Sequence, residues 1–413
     1  MSNNTNYNRE MKKESMRQRV VPEQTEASRK EMEEIQNSIR KYYKKRAVQV
    51  LVVLSVVLVL FLVGCVFYSL KEYSTLEVAW EEEYASANAQ YAEIGSQLIR
   101  CTSDGIACLD NAADSVWEYA YTMSDPVIVI NGDYGAVGDR EGTTAVIFNS
   151  DGVIGSITTS MPILDLTVSS YGVAALMMED PDTGASYIYF YDNSGEELDI
   201  SVKNVLTETS GYPLDLTLSP TGTGLILSLI YLDEGSMETR MTFLNFDVGK
   251  SSTDRVVGVY SYGNEIFPQV EYLSDEMAVA FGDNGLVFYS LENEASPQEE
   301  TTIALDTDIQ SVFIGEDRIG VIVSGESSLY ELQVYSTYGR LLFTHEVDFS
   351  YENAEFSGNF VVLYGNGQCL ILNRIGVVKY EGSIEDSVQK IYFLNRRSFL
   401  QFGTESIKEM KMK

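Results

Sequence analysis

Short apolar runs separated by polar turns fill most of this 413-residue chain. From about residue 98 onward, runs rich in Val, Ile, Tyr and Phe alternate with Gly, Asn, Asp and Ser, and no long helical spacing interrupts them. Runs of this length and composition predict β-strands joined by turns. The length suits two or three average domains or one large repeat array. We therefore expect a mainly β region over residues 98–413.

This region repeats. The segment "ILDLTVSSYGVAAL" (163–176) matches "PLDLTLSPTGTGLI" (213–226) at an offset of 50 residues. A second unit, in which a strand ends in an aromatic residue or Leu before a turn and another strand, recurs every 37 to 55 residues. Its anchors are Phe148, Tyr191, Phe246, Tyr289, Tyr335 and Leu372. Repeats of this period with short strands are typical of β-propeller blades.

The repeats predict the number of blades. Six whole blades run from about Asp125 to Asp386, and a fragment remains at each end, over residues 98–124 and 387–413. Pairing the two fragments makes a seventh blade and leaves no exposed sheet edge at a gap in the ring. The expected fold is mainly β: a seven-bladed β-propeller preceded by one transmembrane helix and a short helical stalk.

An uncharged segment of 21 residues, Val50 to Leu70, lies before this region. As a helix it is about 32 Å long, which matches a hydrocarbon core of about 30 Å. We expect a transmembrane helix over residues 47–70. The preceding "RKYYKKR" (40–46) is strongly basic, so the positive-inside rule places the N-terminus in the cytoplasm. The chain is then a single-pass cell-membrane protein with residues 71–413 extracytoplasmic.

Cys65 allows two interpretations of this segment. The stretch "LVGC" (62–65) resembles the lipobox of bacterial lipoproteins, in which cleavage leaves an acylated cysteine. However, the basic region before the apolar run is 46 residues long, and the run continues beyond the cysteine. Both features favour an uncleaved signal anchor over a cleaved signal.

The flanks of the span are also open to more than one interpretation. Residues 1–27 are polar and predict a disordered cytoplasmic tail, and residues 28–46 predict a basic juxtamembrane helix that leads into the span or docks a cytoplasmic partner. Residues 71–97 carry an apolar stripe at helical spacing, which predicts a helical stalk that packs on the next domain or forms a homodimer. The stripe consists of Tyr73, Leu76, Trp80, Tyr84, Ala87, Tyr91 and Ile94.

Charge and residue types limit the function. Residues 1–46 hold 12 Lys/Arg against 7 Asp/Glu, whereas residues 71–413 hold 17 against 54, a net charge of −37. A region this acidic repels phosphate backbones, so nucleic acid is not an expected partner. His345 is the one histidine in the sequence, which disfavours metal sites and histidine-dependent catalysis. No catalytic residues, metal or cofactor are predicted.

Two sets of candidate site residues remain. Aligning the starts of the presumed inner strands brings Asp165, Asp215, Gln269, Gln310 and Gln389 to one height in the central channel, where a polar ring either binds a ligand or only lines a water-filled channel. In "RCTSDGIAC", a two-residue turn at Asp104-Gly105 would place Cys101 opposite Cys108, within disulfide range. The alternative is two reduced, buried thiols.

The segments "LDLTLSPTG" (214–222) and "FNSDG" (148–152) make the exterior region similar to the quinoprotein-like and TolB-like, WD-repeat-like propellers. The overall layout resembles single-span propeller proteins of unknown function from Gram-positive bacteria. The resemblance implies a location in the cell envelope and no assigned activity. Our leading hypothesis is a membrane-anchored binding or scaffold module for a protein or glycan. The alternatives are a hydrolase or lyase that uses carboxylates at the propeller mouth, and a sensor that couples the propeller to the tail.

Overall fold

The computed structural model describes residues 9–15, 26–83, 88–204, 211–233, 236–247 and 255–413. The chain forms two compact units, Met1–Lys71 and Glu72–Lys413. The first unit is helical, with α1 over residues 9–15 and α2 over Glu26–Ser69. Within α2, the stretch Arg29–Gly64 is long and apolar enough to cross a membrane, judged by length and composition.

The expected juxtamembrane helix and the expected span form one uninterrupted helix, α2. Apolar and basic residues along it are exposed, including Leu54, Leu60 and Phe61. Most of the expected disordered tail, residues 1–8 and 16–25, lies outside the described residues, and so does the side chain of Cys65.

The second unit consists of eight four-stranded antiparallel sheets, which we number as blades 1 to 8. Strands β2 to β29 supply blades 1 to 7 in chain order, four strands to each blade, whereas blade 8 combines β30 to β32 with β1. The strands of blades 1 to 4 are β2 Gln90–Ile94, β3 Gln97–Thr102, β4 Gly105–Leu109, β5 Ser115–Ala120, β6 Pro126–Asn131, β7 Tyr134–Asp139, β8 Thr144–Asn149, β9 Gly152–Thr158, β10 Ile163–Val168, β11 Ala174–Glu179, β12 Ser186–Tyr191, β13 Glu197–Asn204, β14 Tyr212–Leu218, β15 Gly224–Asp233, β16 Ser236–Asn245 and β17 Val256–Ser261. Those of blades 5 to 8 are β18 Gln269–Tyr272, β19 Met277–Phe281, β20 Gly285–Ser290, β21 Gln298–Ala304, β22 Ile309–Ile314, β23 Arg318–Ser324, β24 Tyr330–Ser336, β25 Leu341–Val347, β26 Asn353–Ser357, β27 Phe360–Gly365, β28 Gln368–Asn373, β29 Val378–Ser383, β30 Val388–Phe393, β31 Ser398–Gly403, β32 Ser406–Met412 and β1 Leu76–Glu83.

The predicted blade number is wrong: the ring has eight blades, not seven. The six internal repeats correspond to blades 2 to 7. The two end fragments do not share a blade. Residues 98–124 supply three strands of blade 1, and residues 387–413 supply three strands of blade 8.

The predicted helical stalk is also wrong, and this error hid the eighth blade. Leu76–Glu83 is β1 and Gln90–Ile94 is β2, each of which completes a different blade. Tyr84 and Ala87 of the stripe lie outside the described residues. Because Tyr73 is buried and Trp80 packs against the interface between blades 8 and 1, the stripe is used within the ring and gives no basis for the predicted homodimer.

Eight apolar clusters hold the ring together, one between each pair of neighbouring blades. Middle strands bury both faces, so alternate residues of one strand serve two interfaces. In β11, Leu176 packs towards blade 2 whereas Met177 packs towards blade 4. Strands buried on both faces are continuously apolar rather than alternating, which explains runs such as "AALMM". The cluster between blades 8 and 1 closes the circle.

The predicted pairing of Cys101 with Cys108 is wrong, because the register of β3 against β4 does not place the two cysteines opposite each other. Thr102 pairs with Gly105, so Cys101 faces Ile106 and Cys108 faces Ile99. The turn is therefore centred one residue earlier than expected, on Ser103 and Asp104. Both cysteines are buried free thiols in the interface between blades 1 and 2. The Cys101 sulfur lies 3.1 Å from the Tyr121 hydroxyl.

Candidate functional site in the central channel

The first strand of each blade lies nearest the centre of the ring. First strands of successive blades contact one another, as β10 contacts β14 and β14 contacts β18. Beside the first strands of blades 2 to 5 lies a cavity of about 730 Å³. Polar side chains on its wall include Arg140, Asp165, Asp215, Gln269 and Glu271. This cavity is the candidate site.

Two β-bulges point the aspartates into the cavity. The register of β10 against β11 shifts between Ile163 and Asp165, and that of β14 against β15 shifts between Pro213 and Asp215. The extra residue is a leucine in both strands. A bulge of this kind turns the following side chain relative to its neighbours and is common beside functional sites. The repeated "LDL" therefore produces two carboxylates at equivalent places in adjacent blades.

Backbone donors hold both carboxylates. Asp165 Oδ1 accepts a hydrogen bond from Leu166 N at 2.8 Å, and Asp215 Oδ1 accepts one from Leu216 N at 2.9 Å. Asp215 Oδ2 also accepts a hydrogen bond from Val270 N of blade 5, at 2.7 Å. The Asp165 and Asp215 carboxyl groups are neighbours on the cavity wall, and the negative charge of Asp165 raises the pKa of Asp215.

Glu271 completes a group of three acids. It lies two residues beyond Gln269 on β18, and its Oε1 accepts a long hydrogen bond from Thr217 Oγ1, at 3.5 Å. Burial raises the pKa of Glu271 to about 7, and the negative charge of Asp165 acts in the same direction. Glu271 therefore keeps its proton to a higher pH than a free glutamate does.

The aspartates are shifted in the same direction. Burial raises the pKa of Asp165, against which its hydrogen bonds and the nearby Arg140 act. Burial also raises the pKa of Asp215 well above its usual value, and the charges of Asp165 and Glu271 add to the effect. Since like charges this close cannot all ionise, the three acids hold protons at pH values where free carboxylates have lost them.

Three of the five predicted channel residues come together and two do not. Asp165, Asp215 and Gln269 line the same cavity. Gln310 is exposed and donates to Ser324 Oγ at 3.2 Å, and Gln389 lies in blade 8, outside this cavity. Both glutamines occupy the bulge position of their strands, between Ile309 and Ser311 and between Val388 and Lys390. The sequence alignment was therefore displaced by one residue in these blades.

Glu271 and Arg140 were missed by sequence reasoning. Glu271 could have been found, because side chains two residues apart on a strand share a face and Gln269 was already a candidate. Arg140 gives no such signal. It follows β7 and reaches the cavity because an isolated bridge joins it to Ile163 of blade 3. Its side chain is 51% exposed and lies 3.8 Å from an Asp125 carboxylate oxygen.

A second polar cluster, Lys390 with Glu93 and Glu355, joins the first strands of blades 8, 1 and 7. Lys390 is 5% exposed, and its ammonium group pairs with Glu93 at 3.2 Å and with Glu355. Burial opposes the charged form, but the two carboxylates outweigh it and raise the pKa of Lys390. Glu93 also accepts a hydrogen bond from Ser357 Oγ at 2.9 Å. This cluster is mostly satisfied internally, which suits the seam where the ring closes.

Within the described part of the chain, no group of three or more His, Cys, Asp or Glu side chains is placed to hold a metal ion. His345 lies half-buried on β25, away from the cavity. What the cavity offers is three acids, an amide and one guanidinium around an open space. Such a set binds hydroxyl groups, amines or guanidinium groups, since carboxylates accept strong hydrogen bonds from them.

The fold and the cavity define an eight-bladed β-propeller with an acidic site on its channel. Residues 69–412 match DUF5711, described as a family of unknown function, and the chain belongs to that family. No curated protein matches it.

Solved structures share the fold. Sqt1 from Chaetomium thermophilum has 12% identity and a TM-score of 0.52, over 82% of this chain and 100% of that one. AztD from Citrobacter koseri has 10% identity and a TM-score of 0.49, over 73% and 87% of the two chains. BamB from Moraxella catarrhalis has 11% identity and a TM-score of 0.46, over 82% and 100%. At these identities the likeness concerns the fold alone.

Proposed function

We propose that this protein is a membrane-tethered, extracytoplasmic binding module whose channel cavity receives a protein side chain or a glycan of the cell envelope. The observation that carries the proposal is the cavity of about 730 Å³ with Asp165, Asp215 and Glu271 on its wall. Cavities of this size with a few polar groups that converge on one space are the usual form of a ligand site.

The ligand class follows from the donors and acceptors. Partly protonated carboxyl groups both donate and accept hydrogen bonds, as sugar hydroxyls do. Tyr212, which is 41% exposed, also lines the cavity and offers an aromatic ring to a sugar face or a cation. A phosphate or sulfate ligand is disfavoured because Arg140 is outnumbered by three acids.

The tether rests on α2 and on the charge on its two sides. The apolar stretch of α2 follows a basic segment, and the propeller carries the acidic excess. The positive-inside rule then places the propeller outside the cytoplasm of a single-pass protein. Protease added to intact cells should remove the propeller while leaving an epitope before residue 40 protected. Digestion of the propeller only after the cells are broken would contradict this orientation.

Binding is tested with the full chain in nanodiscs on a glycan array, and by photo-crosslinking in cells from a probe at residue 212. The test variant is Asp165→Asn/Asp215→Asn/Glu271→Gln. The matched control is Asp133→Asn/Asp151→Asn/Glu300→Gln, which changes the same number of charges at positions outside the cavity. We expect the captured glycan or protein to be lost from the first variant and kept by the second. Equal capture by both variants would rule out the cavity as the site.

An envelope hydrolase or lyase is the second candidate, and the neighbouring Asp165 and Asp215 carboxyl groups, both with raised pKa values, favour it. Paired carboxyls of this kind supply one acid and one base at the same pH. Mass spectrometry of array glycans after incubation distinguishes the two functions. New cleavage products that Asp215→Asn abolishes indicate the enzyme, whereas unchanged bound glycans indicate the binding module.

A further inference from the structure

The two ends of the ring differ, and the chain enters the propeller at one of them. Because the four strands of each blade alternate in direction, the turns between strands 1 and 2 and between strands 3 and 4 lie at the same end. We call this end the entry face. Leu76 pairs with Met412, so β1 begins there, just after Tyr73, which is 4% exposed and donates its N–H to Lys379 O at 2.8 Å.

Charge is divided across the entry face. In the described turns of blades 1 to 5, eleven Asp/Glu stand against Arg255 alone. In the turns of blades 6 to 8 the balance is reversed, with four arginines against Glu316 and Asp317. These arginines and two nearby lysines, which pair with Glu409 and Glu77, form what we call the basic sector: Arg340, Arg374, Arg396, Arg397, Lys411 and Lys413. All six are exposed, in a region whose net charge is −37.

Contacts link parts of the basic sector to one another and to the start of β1. Arg374 of blade 7 pairs with Asp317 of blade 6, and its carbonyl accepts a hydrogen bond from Arg318 Nη1 at 2.8 Å. In blade 8, the Arg397 guanidinium lies 5.9 Å from the ring of Tyr73, where the chain enters. These contacts join the turns of blades 6 and 7, and they join blade 8 to the segment by which the chain enters.

Two large apolar side chains project from the same turns. Tyr338 is 66% exposed and lies two residues before Arg340, and Ile375 is 64% exposed and follows Arg374. Cationic residues beside an exposed tyrosine and an aliphatic tip are the combination that suits an anionic membrane surface. The cations attract the headgroups, at about 1 kcal/mol each near the surface, and tyrosine partitions into the headgroup region.

We infer that the basic sector of the entry face docks on anionic phospholipid headgroups. The inference rests on the membrane tether proposed above. Tyr73 is fixed in the propeller only four residues after Ser69, the last residue of α2, so the connecting chain spans at most about 14 Å. A bilayer that holds α2 is thus within reach of the face at which the chain enters. Because the chain itself keeps the bilayer near this face, anionic lipid meets the basic sector more often than a freely diffusing acidic protein does.

The test uses two tyrosine turns that match each other. Tyr338 in "STYGR" and Tyr171 in "SSYGV" are both 66% exposed and both lie on the entry face, but Tyr171 belongs to the acidic blade 3. Full-length Tyr338→Trp and Tyr171→Trp proteins are reconstituted singly into nanodiscs containing brominated phosphatidylglycerol, and the lipid quenching of tryptophan fluorescence is measured. Trp80 and Trp117 are native tryptophans, and their quenching is measured in the parent protein and subtracted as background.

We expect the quenching at residue 338 to exceed that at residue 171 by roughly threefold, and to fall to the level of residue 171 in brominated phosphatidylcholine or in about 0.5 M salt. The variant Arg340→Glu/Arg374→Glu/Arg396→Glu should abolish the difference. Circular dichroism of this variant, with the melting temperature unchanged within a few degrees, shows that the loss is not unfolding.

Equal quenching at both positions, or quenching that ignores lipid charge, would overturn the inference. The alternative partner is a second copy of this chain, bound through its acidic blades. A change in the fluorescence of the Tyr338→Trp protein that needs two chains per disc, and that occurs without phosphatidylglycerol, would indicate this partner instead. A separate measurement tests the membrane tether itself. If α2 does not span the membrane, a carbonate wash releases the chain from membranes. A chain that resists carbonate but shows no difference between residues 338 and 171 refutes the docking alone.

Discussion

Asp215 Oδ2 accepts a hydrogen bond from the backbone N–H of Val270, at 2.7 Å, and so joins the first strands of blades 4 and 5 inside the channel. The same carboxyl group is a neighbour of Asp165 of blade 3, whose negative charge raises its pKa. One side chain therefore joins blades 4 and 5 by a hydrogen bond and also lies on the wall of the candidate site. Binding and ring stability are coupled at this position.

Replacing Asp215 with Ala should destabilise the propeller by about 1–3 kcal/mol, because it leaves the Val270 N–H without its acceptor. The matched change is Asp165→Ala, whose carboxylate accepts a hydrogen bond within its own strand. Thermal unfolding of the full chain in detergent measures both. A loss at Asp165 equal to or larger than the loss at Asp215 would show that the connection between blades contributes little.

Glu271 should make stability depend on pH near neutrality. Its pKa is about 7 in the folded protein and near 4.5 in the unfolded chain, so the folded state binds more protons between these values and stability falls as the pH rises. Glu271→Gln removes that loss. We expect the variant to gain up to about 3 kcal/mol over the parent at pH 8 and less than about 1 kcal/mol at pH 5.

The control for this prediction is Glu300→Gln, on the exposed outer strand of blade 5. Its melting temperature should track the parent at both pH values. If Glu271→Gln shifts the melting temperature equally at pH 5 and pH 8, titration of Glu271 is not the cause.

Lys390 should be costly to neutralise. Lys390→Met leaves the carboxylates of Glu93 and Glu355 beside each other without their cation, and breaking such a buried group costs about 3–5 kcal/mol. Neutralising all three residues, as Lys390→Met/Glu93→Gln/Glu355→Gln, should recover most of the loss. Chemical denaturation compares the two proteins. A triple variant less stable than the single one would mean that the three charges act independently.

Tyr73 should fasten the start of β1 to the ring. It packs in the cluster between blades 7 and 8, and Tyr73→Ala should cost about 3 kcal/mol by creating a cavity. Tyr171→Ala, at an exposed turn, should stay within about 0.5 kcal/mol of the parent. Limited proteolysis between residues 69 and 90 should quicken in the first variant only.

The cysteines of blade 1 should react slowly and should not crosslink. Burial raises the pKa of Cys108 to about 11 and raises the pKa of Cys101, so little thiolate is present at pH 7.5. Maleimide should label both only after unfolding, and mass spectrometry after mild oxidation should find no bond between them. Rapid labelling of the folded protein would show that the interface between blades 1 and 2 opens readily.

Repetition made much of the fold predictable. Five of the six anchors mark equivalent places near the end of a third strand, where an aromatic or aliphatic residue fills an interface between blades: Phe148, Tyr191, Tyr289, Tyr335 and Leu372. Phe246 follows β16 by one residue, and Leu244 holds the equivalent place in that blade. At the two ends of the propeller, the local spacing of apolar residues was misleading. Leu76 and Trp80 are four residues apart, which fits one face of a helix. In β1, however, a bulge between Val78 and Trp80 turns them towards different neighbours, Leu76 to the cluster between blades 7 and 8 and Trp80 to the cluster between blades 8 and 1.

The candidate site was predictable to the extent that its residues repeat. Asp165 and Asp215 stand in copies of one motif, so alignment found them. Gln310 and Gln389 failed because each is the extra residue of a bulge, whereas Asp165 and Asp215 follow the extra residue, and bulges have no clear sequence signal. Arg140 reaches the cavity from a loop whose path depends on pairing with the next blade. Contacts of that kind arise only when the ring is assembled.

The way in which β1 completes blade 8 also constrains biosynthesis. The strand Leu76–Glu83 leaves the ribosome about 320 residues before its partner Ser406–Met412, on the order of tens of seconds at common elongation rates. During that wait its edge is open, and the consecutive Glu81, Glu82 and Glu83 act as gatekeepers against pairing with other chains. Translation that stops within the last two dozen codons therefore does not give a smaller closed propeller. It gives an open arc of blades with an unpaired strand edge at each end.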